Sequence, residues 1–153
     1  MSDIDKKDQT KIETKKVKIP PKSKDEFWAK EFSGVKEQNA VDILLREKQG
    51  HVKGAFNIPG LPRNGDIDLV WGDKTGGLEH LMSKRDFYKA NGTGKISGLE
   101  MANKITEIMT KGKLGLDKHN RHYVEYDGFR VGININYFDD EATWIVTAME
   151  VFD

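Results

Sequence analysis

Residues 65–85, with the sequence GDIDLVWGDKTGGLEHLMSKR, predict a strand, a glycine-rich turn and a helix in immediate succession. The strand is residues 67–71, a short run of large apolar and aromatic side chains interrupted by one aspartate. The turn contains three glycines, and the helix runs from Gly77 to Tyr88. Because the first N–H groups of a helix have no partner within the helix, this helix start favours an anion.

Three basic side chains follow the turn, namely His80, Lys84 and Arg85. His80, Lys84 and Tyr88 lie on one row of the helix, spaced four residues apart, whereas Arg85 lies toward the apolar side. The positive end of the helix dipole disfavours an imidazolium, so His80 suits the role of a neutral base near pH 7. An ordinary surface or core histidine beside a solvated Lys–Arg pair is the alternative interpretation.

Length and composition predict one folded domain after a polar segment. The chain has 153 residues, of which 37% are hydrophobic, enough for a single core. Its beginning is rich in Lys, Asp, Thr and Ser and contains Pro20-Pro21. We therefore predict a disordered leader or linker at residues 1–33 and a domain at residues 34–153.

Charge and cysteine content narrow the classes of function. The chain has no cysteine, which excludes a disulfide, a thiolate nucleophile and a zinc–sulfur site. It contains no apolar run near the ~20 residues of a membrane span, and its first residues lack a signal-peptide core. A net charge of zero argues against a broadly basic nucleic-acid binder but allows a local cationic cleft.

The second half of the chain predicts an α+β fold. Ser97 and Glu100 have the spacing of a capping box, which begins a helix that ends near residue 111. Residues 121–126 and 129–137 form a hairpin across Asp127-Gly128, a strong signal for a type I′ turn. With a last strand at residues 142–152, we expect N-terminal helices packed on one face of a C-terminal antiparallel β-sheet.

Polar side chains in these strands have two interpretations. Arg121, Tyr123 and Glu125 alternate onto one strand face, where a cation, a phenol and a carboxylate indicate either a cleft or a solvated surface. Thr143 and Thr147 lie in the last strand, where threonine is usually only a β-forming residue. No cluster of metal ligands is evident, and Asp66 with Asp68 is a weak signal without further partners.

The string GDIDLVWG, followed by GLxH and a basic pair, resembles the barnase/EndoU/colicin/RelE-like superfamily of small endoribonuclease toxins. Such domains occur in phage-encoded proteins and in bacterial polymorphic toxins. The resemblance extends over roughly residues 41–153 and includes a WxxTA-like end at Trp144–Ala148. It implies the same α+β layout.

The resemblance also implies a reaction and a set of site residues. The ribose 2′-OH attacks the adjacent phosphorus and yields a 2′,3′-cyclic phosphate without a metal ion or another cofactor. His80 is the acid or base, with Tyr123 or, less well, Glu125 as its partner. The residues expected to carry catalysis are His80, Lys84, Arg85, Arg121 and Tyr123, and those expected to bind substrate are Glu125, Thr143 and Thr147.

The expected partners follow from the same resemblance. They are RNA, with tRNA among the candidates, and a cognate immunity protein or antitoxin that covers the cleft; the chain itself is expected to be a monomer. It would act in the cytoplasm of a target or host cell after delivery within a larger secreted or phage protein. The alternative is a non-catalytic binding module or decayed nuclease of the same fold, which the zero net charge and polar leader also fit.

Overall fold

Seven strands form one mixed sheet in the computed structural model, which describes residues 30–73, 75–135 and 143–151. In chain order the strands are β1 (Glu31–Phe32), β2 (His51–Asn57), β3 (Asp66–Val70), β4 (Lys113–Leu116), β5 (His122–Tyr126), β6 (Phe129–Ile135) and β7 (Thr143–Glu150). Their order across the sheet is β1-β2-β3-β7-β6-β5-β4. Of the predicted leader at residues 1–33, residues 1–29 lie outside the described residues. Strand β1 lies within the remaining residues, 30–33.

The helices connect these strands. They are α1 (Glu37–Glu47), α2 (Leu78–Ala90), α3 (Gly98–Ala102) and α4 (Ile105–Lys111), with a short 3₁₀ turn at Arg63–Gly65. The helix predicted to follow the capping box is divided into α3 and α4 by a turn at Asn103-Lys104. Helix α2 contacts β7, and α4 contacts β5 and β6.

The α+β class and the antiparallel C-terminal strands are confirmed, but the sheet as a whole is mixed. Strands β4 to β7 are antiparallel neighbours, as the hairpin pattern indicates. Strand β7, however, also runs parallel to β3, with Asp68 opposite Trp144, and β1 runs parallel to β2. The N-terminal β2–β3 pair is thereby joined to the antiparallel strands β4 to β7. This neighbour relation depends on a contact between distant residues, which the alternation of a single strand does not specify.

The hydrophobic core uses one set of alternating side chains from β5, β6 and β7. Val124, Val131 and Ala148 lie opposite one another across these three strands, and all three are fully buried. They join core residues of α1 and α4, including Leu44 and Ile108. Each large apolar side chain buried in this way contributes about 1.5–3 kcal/mol. Because side chains alternate along a strand, the intervening residues of β5 to β7 lie on the opposite face.

Two local signals are confirmed and fix the ends of elements. The Ser97 Oγ accepts from the Glu100 N–H at 3.1 Å, and the Ser97 N–H donates to Glu100 Oε1 at 2.8 Å. That backbone hydrogen bond holds the pKa of Glu100 below its ordinary value. Asp127 and Gly128 have φ values of 52° and 84°, as a type I′ turn requires, which sets Glu125 opposite Arg130 and Tyr123 opposite Gly132.

Candidate functional site

A cleft of about 710 Å³ lies against β5, β6 and β7 and the turn that joins β4 to β5. Its lining includes Arg121, Tyr123, Arg130, Gly132, Thr147 and Met149. Three residues predicted from the sequence, Arg121, Tyr123 and Thr147, therefore line one cavity. They meet there because the register of four strands aligns residues that are distant in the chain.

The floor of the cleft is one row of residues across the sheet. Tyr123 lies opposite Gly115 on β4 and Gly132 on β6, and Gly132 lies opposite Thr147. A Cβ atom at Gly115 would be 2.6 Å from Tyr123 Cζ, so the aromatic ring lies over this glycine. A Cβ atom at Gly132 would be 3.0 Å from Thr147 Cγ2, so it would narrow the floor beside the Thr147 side chain. The two glycines thus seat the phenol ring and keep the floor beside Thr147 open.

Arg130 is held rigidly over this floor. Its guanidinium carbon lies 3.8 Å from the centre of the Tyr123 ring, a close cation–π contact. Its Nη2 and Nε donate to Glu125 Oε1 at 2.7 and 3.2 Å. A guanidinium has five N–H groups, so donors remain for an anion in the cleft. Glu125 therefore holds Arg130 in position, and it is not among the described residues that line the cleft.

Sequence reasoning missed Arg130, although a signal for it was present. Residues 130, 132 and 134 alternate with the core residues of the second hairpin strand. The two-residue turn at Asp127-Gly128 then places Arg130 beside Glu125 and next to Tyr123. Combining the alternation with the turn would have assigned Arg130 to the cleft.

One rim of the cleft is a turn organised by Asp117. Its Oδ1 accepts from the backbone N–H groups of Arg121 and His119, at 2.9 and 2.8 Å, and its Oδ2 accepts from Arg121 Nε at 2.9 Å. These hydrogen bonds lower the pKa of Asp117 to about 2, and the bond from the Arg121 backbone N–H has the largest effect. The Arg121 side chain remains 71% exposed. The turn thereby holds Lys118 and Arg121 at the cleft.

The charge of the cleft differs from that of the whole chain. Among the described residues that line it, Lys118, Arg121 and Arg130 are cations, and Asp117 is the single carboxylate. Asp117 already accepts hydrogen bonds from Arg121. A local excess of positive charge therefore lies within a chain whose net charge is zero. Such a surface attracts an anion, as a phosphate-binding cleft requires.

The start of α2 lies beside the cleft without forming its lining. His80 is half-buried on the first turn and Lys84 is exposed; neither is among the described residues that line the cleft. The Gly77 N–H, however, donates to the Val146 carbonyl oxygen at 3.1 Å, and Val146 does line the cleft. The helix start three residues before His80 is thus fixed to the strand that carries Thr147.

The remaining predicted residues, Arg85 and Thr143, have different surroundings. Arg85 is buried, with a side chain 9% exposed, and its Nη1 lies 3.7 Å from Glu150 Oε2. It lines a second pocket next to the cleft. Thr143 is buried at the opposite end of β7, accepts a hydrogen bond from Arg63 Nη2, and is not among the residues lining either pocket.

The two carboxylates of β3 accept hydrogen bonds from a backbone N–H group and from a neighbouring side chain. Asp68 Oδ1 accepts from the Gly54 N–H at 2.8 Å, and Asp66 Oδ1 accepts from Asn57 Nδ2 at 3.1 Å. Within residues 30–73, 75–135 and 143–151, no three His, Cys, Asp or Glu side chains are grouped to hold a metal ion. None of the helices in these ranges has the length and apolar character needed to cross a membrane.

Comparison with known proteins points to one family. A family model described as phage-Barnase-EndoU-ColicinE5/D-RelE like nuclease1 matches residues 55–152, more than half of the chain. The match confirms the resemblance seen in residues 65–85, and it spans α2 and every strand that builds the cleft. No curated protein and no solved structure matches the chain.

Proposed function

Because the chain belongs to this phage Barnase-EndoU-Colicin-RelE-like nuclease family, we propose that it is an endoribonuclease that cleaves RNA in the cleft without a metal ion. The observation that carries the proposal is the position of Arg130. This guanidinium is stacked on Tyr123 and bonded to Glu125, beside the open floor next to Thr147. A fixed cation, a phenol and a hydroxyl at one open site suit a phosphodiester.

In this proposal the cleft binds the scissile phosphate. Arg130 and Arg121 neutralise the non-bridging oxygens, and the Thr147 hydroxyl donates a hydrogen bond to one of them. Because Arg130 is already fixed by its ring and carboxylate contacts, little reorganisation is needed when negative charge develops on the phosphorane. Lys118 adds attraction at the rim, which favours binding of a polyanion.

The reaction is a transesterification within the RNA strand. The 2′ oxygen attacks phosphorus, the bond from phosphorus to the 5′ oxygen breaks, and a 2′,3′-cyclic phosphate and a 5′-hydroxyl result. We assign His80 as the base that takes the 2′-OH proton and Tyr123 as the acid that protonates the leaving 5′ oxygen. The hydrogen bond from the Gly77 N–H to the Val146 carbonyl oxygen supports the assignment of His80, since it fixes the helix start beside the cleft. DNA lacks the 2′-OH and is expected to remain intact.

The direct test is incubation of the purified protein with total RNA in excess EDTA and, separately, with added Mg²⁺. We expect cleavage in both, with 2′,3′-cyclic phosphate ends detected by mass spectrometry, and no cleavage of single-stranded DNA. Activity that is lost in EDTA and restored by Mg²⁺ would overturn the metal-free mechanism. Binding of RNA without cleavage would favour the non-catalytic binding module.

A single-atom variant links that activity to the cleft. Tyr123→Phe removes the phenol oxygen but keeps the ring on which Arg130 stacks. We expect a loss of about 10²–10⁴-fold in the cleavage rate, the usual contribution of a general acid. The matched control is Tyr126→Phe, because Tyr126 packs against the core from the same strand. Equal rates for Tyr123→Phe and the wild type would remove the phenol from the mechanism.

We further propose that a protein inhibitor neutralises this activity by covering the cleft, as expected for a toxin. The three lining cations favour an inhibitor with an acidic patch. Such a partner would bind Arg121→Glu more weakly than the wild type, which can be measured once an acidic candidate is purified.

A further inference from the structure

The cleft continues into a second pocket of about 780 Å³ between α2 and the end of β7. Arg130 and Met149 line both cavities, so the two form one groove. Arg130 and Met149 lie opposite each other on β6 and β7, and Met149 is 40% exposed. A polar chain that leaves the cleft past Arg130 therefore meets an exposed apolar side chain and then the second pocket.

Arg85, Arg130 and Glu150 are the charged residues among the described residues that line this second pocket, and of these Arg85 is held least completely. The side chain is 9% exposed, and its buried Nε has no hydrogen-bond partner in the part of the chain that the structure describes. Its guanidinium carbon lies 5.1 Å from the centre of the Tyr88 ring, which also lines the pocket. A buried donor without an acceptor is costly, so the pocket favours an incoming acceptor.

Glu150 does not satisfy Arg85. The nearest distance between the two, from Nη1 to Oε2, is 3.7 Å, which is too long for a hydrogen bond. The carboxylate of Glu150 instead accepts from the backbone N–H groups of Lys95, at 3.0 Å, and Ile96, at 3.4 Å. Glu150 thus orders the loop after α2 and balances part of the charge of Arg85, while the guanidinium donors remain available.

We propose that the Arg85 pocket binds the phosphate next to the scissile one, so that the preferred substrate is a strand with at least two phosphodiesters. This inference rests on the proposed function in placing the scissile phosphate in the cleft. Met149 then lies under the sugar or base that separates the two phosphates. Arg85, which the resemblance places among the catalytic residues, in this proposal favours substrates with two phosphodiesters over those with one.

The test compares an RNA dinucleotide, which has one internal phosphate, with a trinucleotide, which has two. In the wild type we expect a ratio of kcat/KM, trinucleotide over dinucleotide, of about 10–100, the contribution of hydrogen bonds to a charged group. Arg85→Met, which keeps an unbranched apolar stem but removes the guanidinium, should bring this ratio close to one. The control Lys89→Met removes a cation one turn away, outside both pockets, and should keep the wild-type ratio.

A binding measurement distinguishes failure of the phosphate subsite from failure of the proposed nuclease function. The probe is a 2′-deoxy trinucleotide, and its dissociation constant is measured by fluorescence anisotropy over a range of salt. Arg85→Met should weaken binding about 10–100-fold and reduce the salt slope by about 0.7, the value for one phosphate of a single strand. Wild-type protein that binds in this way but never cleaves RNA would retain the subsite and refute the nuclease mechanism.

Two outcomes would overturn the subsite. One is a folded Arg85→Met protein with the length ratio and salt slope of the wild type. The other is an equal loss on dinucleotide and trinucleotide, which would mean that Arg85 acts on the reacting phosphate or only on the fold. If Arg85→Met does not fold, Arg85→Lys is used; it keeps the charge but loses the planar donor pair, and the length ratio should fall several-fold.

Discussion

The cleft and the start of α2 both present cations and polar side chains, but they hold them by different means. In the cleft, Arg130 is fixed by an aromatic ring at 3.8 Å and a carboxylate oxygen at 2.7 Å. In the second turn of α2, Lys84 is exposed, and its Nζ lies 5.8 Å from the centre of the Tyr88 ring. A fixed guanidinium presents its donors in one geometry, whereas an exposed ammonium is mobile and solvated. Contacts across strands, more than the number of charges, therefore distinguish the two regions.

The first prediction asks whether the two regions act together. His80→Ala should reduce the RNA cleavage rate by about 10²–10⁴-fold, because it removes the proposed base, while the free energy of unfolding changes by about 1 kcal/mol. Single-turnover cleavage and chemical denaturation measure the two quantities. A folded variant with the wild-type rate would exclude His80 from the reaction.

His119→Ala serves as the comparison for that variant, because His119 lies on the Asp117 turn and lines the cleft. We expect its cleavage rate to stay within about tenfold of the wild type, as for a rim contact. A larger loss for His119→Ala than for His80→Ala would move the base from α2 to the cleft rim. The residues of the cleft alone would then account for the reaction.

The second prediction concerns Arg130. Arg130→Met removes the guanidinium and should lower kcat by about 10²–10³-fold, the usual cost of losing one donor that stabilises charge in the transition state. Arg130→Lys keeps the charge but loses the ring stacking and the fork geometry, so it should recover only part of the rate. Full activity in Arg130→Met would contradict the cleft as the phosphate site.

The third prediction uses the two glycines of the floor. Gly132→Ala places a methyl group 3.0 Å from Thr147 Cγ2 and narrows the cleft, so KM should rise about tenfold, equivalent to ~1.4 kcal/mol of binding. Gly115→Ala instead displaces the Tyr123 ring and should lower kcat. Steady-state kinetics on one oligonucleotide separate the two effects, and identical changes in both variants would contradict the described floor.

The sequence predicted those features whose signals are local. The type I′ turn at Asp127-Gly128 and the capping box of Ser97 and Glu100 depend on residues at most three positions apart, and both are confirmed. The turn also implied the pairing of Glu125 with Arg130, which alternation alone did not reveal. Local chemistry of this kind fixes backbone angles and hydrogen bonds directly.

The features that were not predicted depend on distant residues. The parallel pairing of β3 with β7 joins Asp68 to Trp144, and no local pattern specifies which strand edge β7 will occupy. The second pocket forms only because α2 lies beside the end of β7, which brings Arg85 near Glu150. The four-residue spacing of His80 and Lys84 predicts that they share one face of a helix. The position of that face beside the cleft depends on distant residues and could not be predicted.

The last and smallest effect concerns the rim of the cleft. The hydrogen bonds from Arg121 and His119 hold the pKa of Asp117 at about 2, below its usual value of 3.8. Because the pKa is lower in the folded than in the unfolded chain, this carboxylate contributes its full stability above about pH 4 and loses it as the pH falls toward 2. Asp117→Asn keeps an acceptor for the backbone N–H groups but removes the charge.

We therefore expect Asp117→Asn to have a lower Tm than the wild type at pH 7, with the two values converging as the pH falls from 4 to 2. Circular dichroism melts across this range measure the difference. The loss of order in the turn that carries Arg121 should raise KM only a few-fold, since the Arg121 side chain is largely exposed. A Tm difference that stays constant down to pH 2 would mean that the Asp117 charge does not stabilise this rim, and Arg121 would then be positioned by the backbone bonds alone.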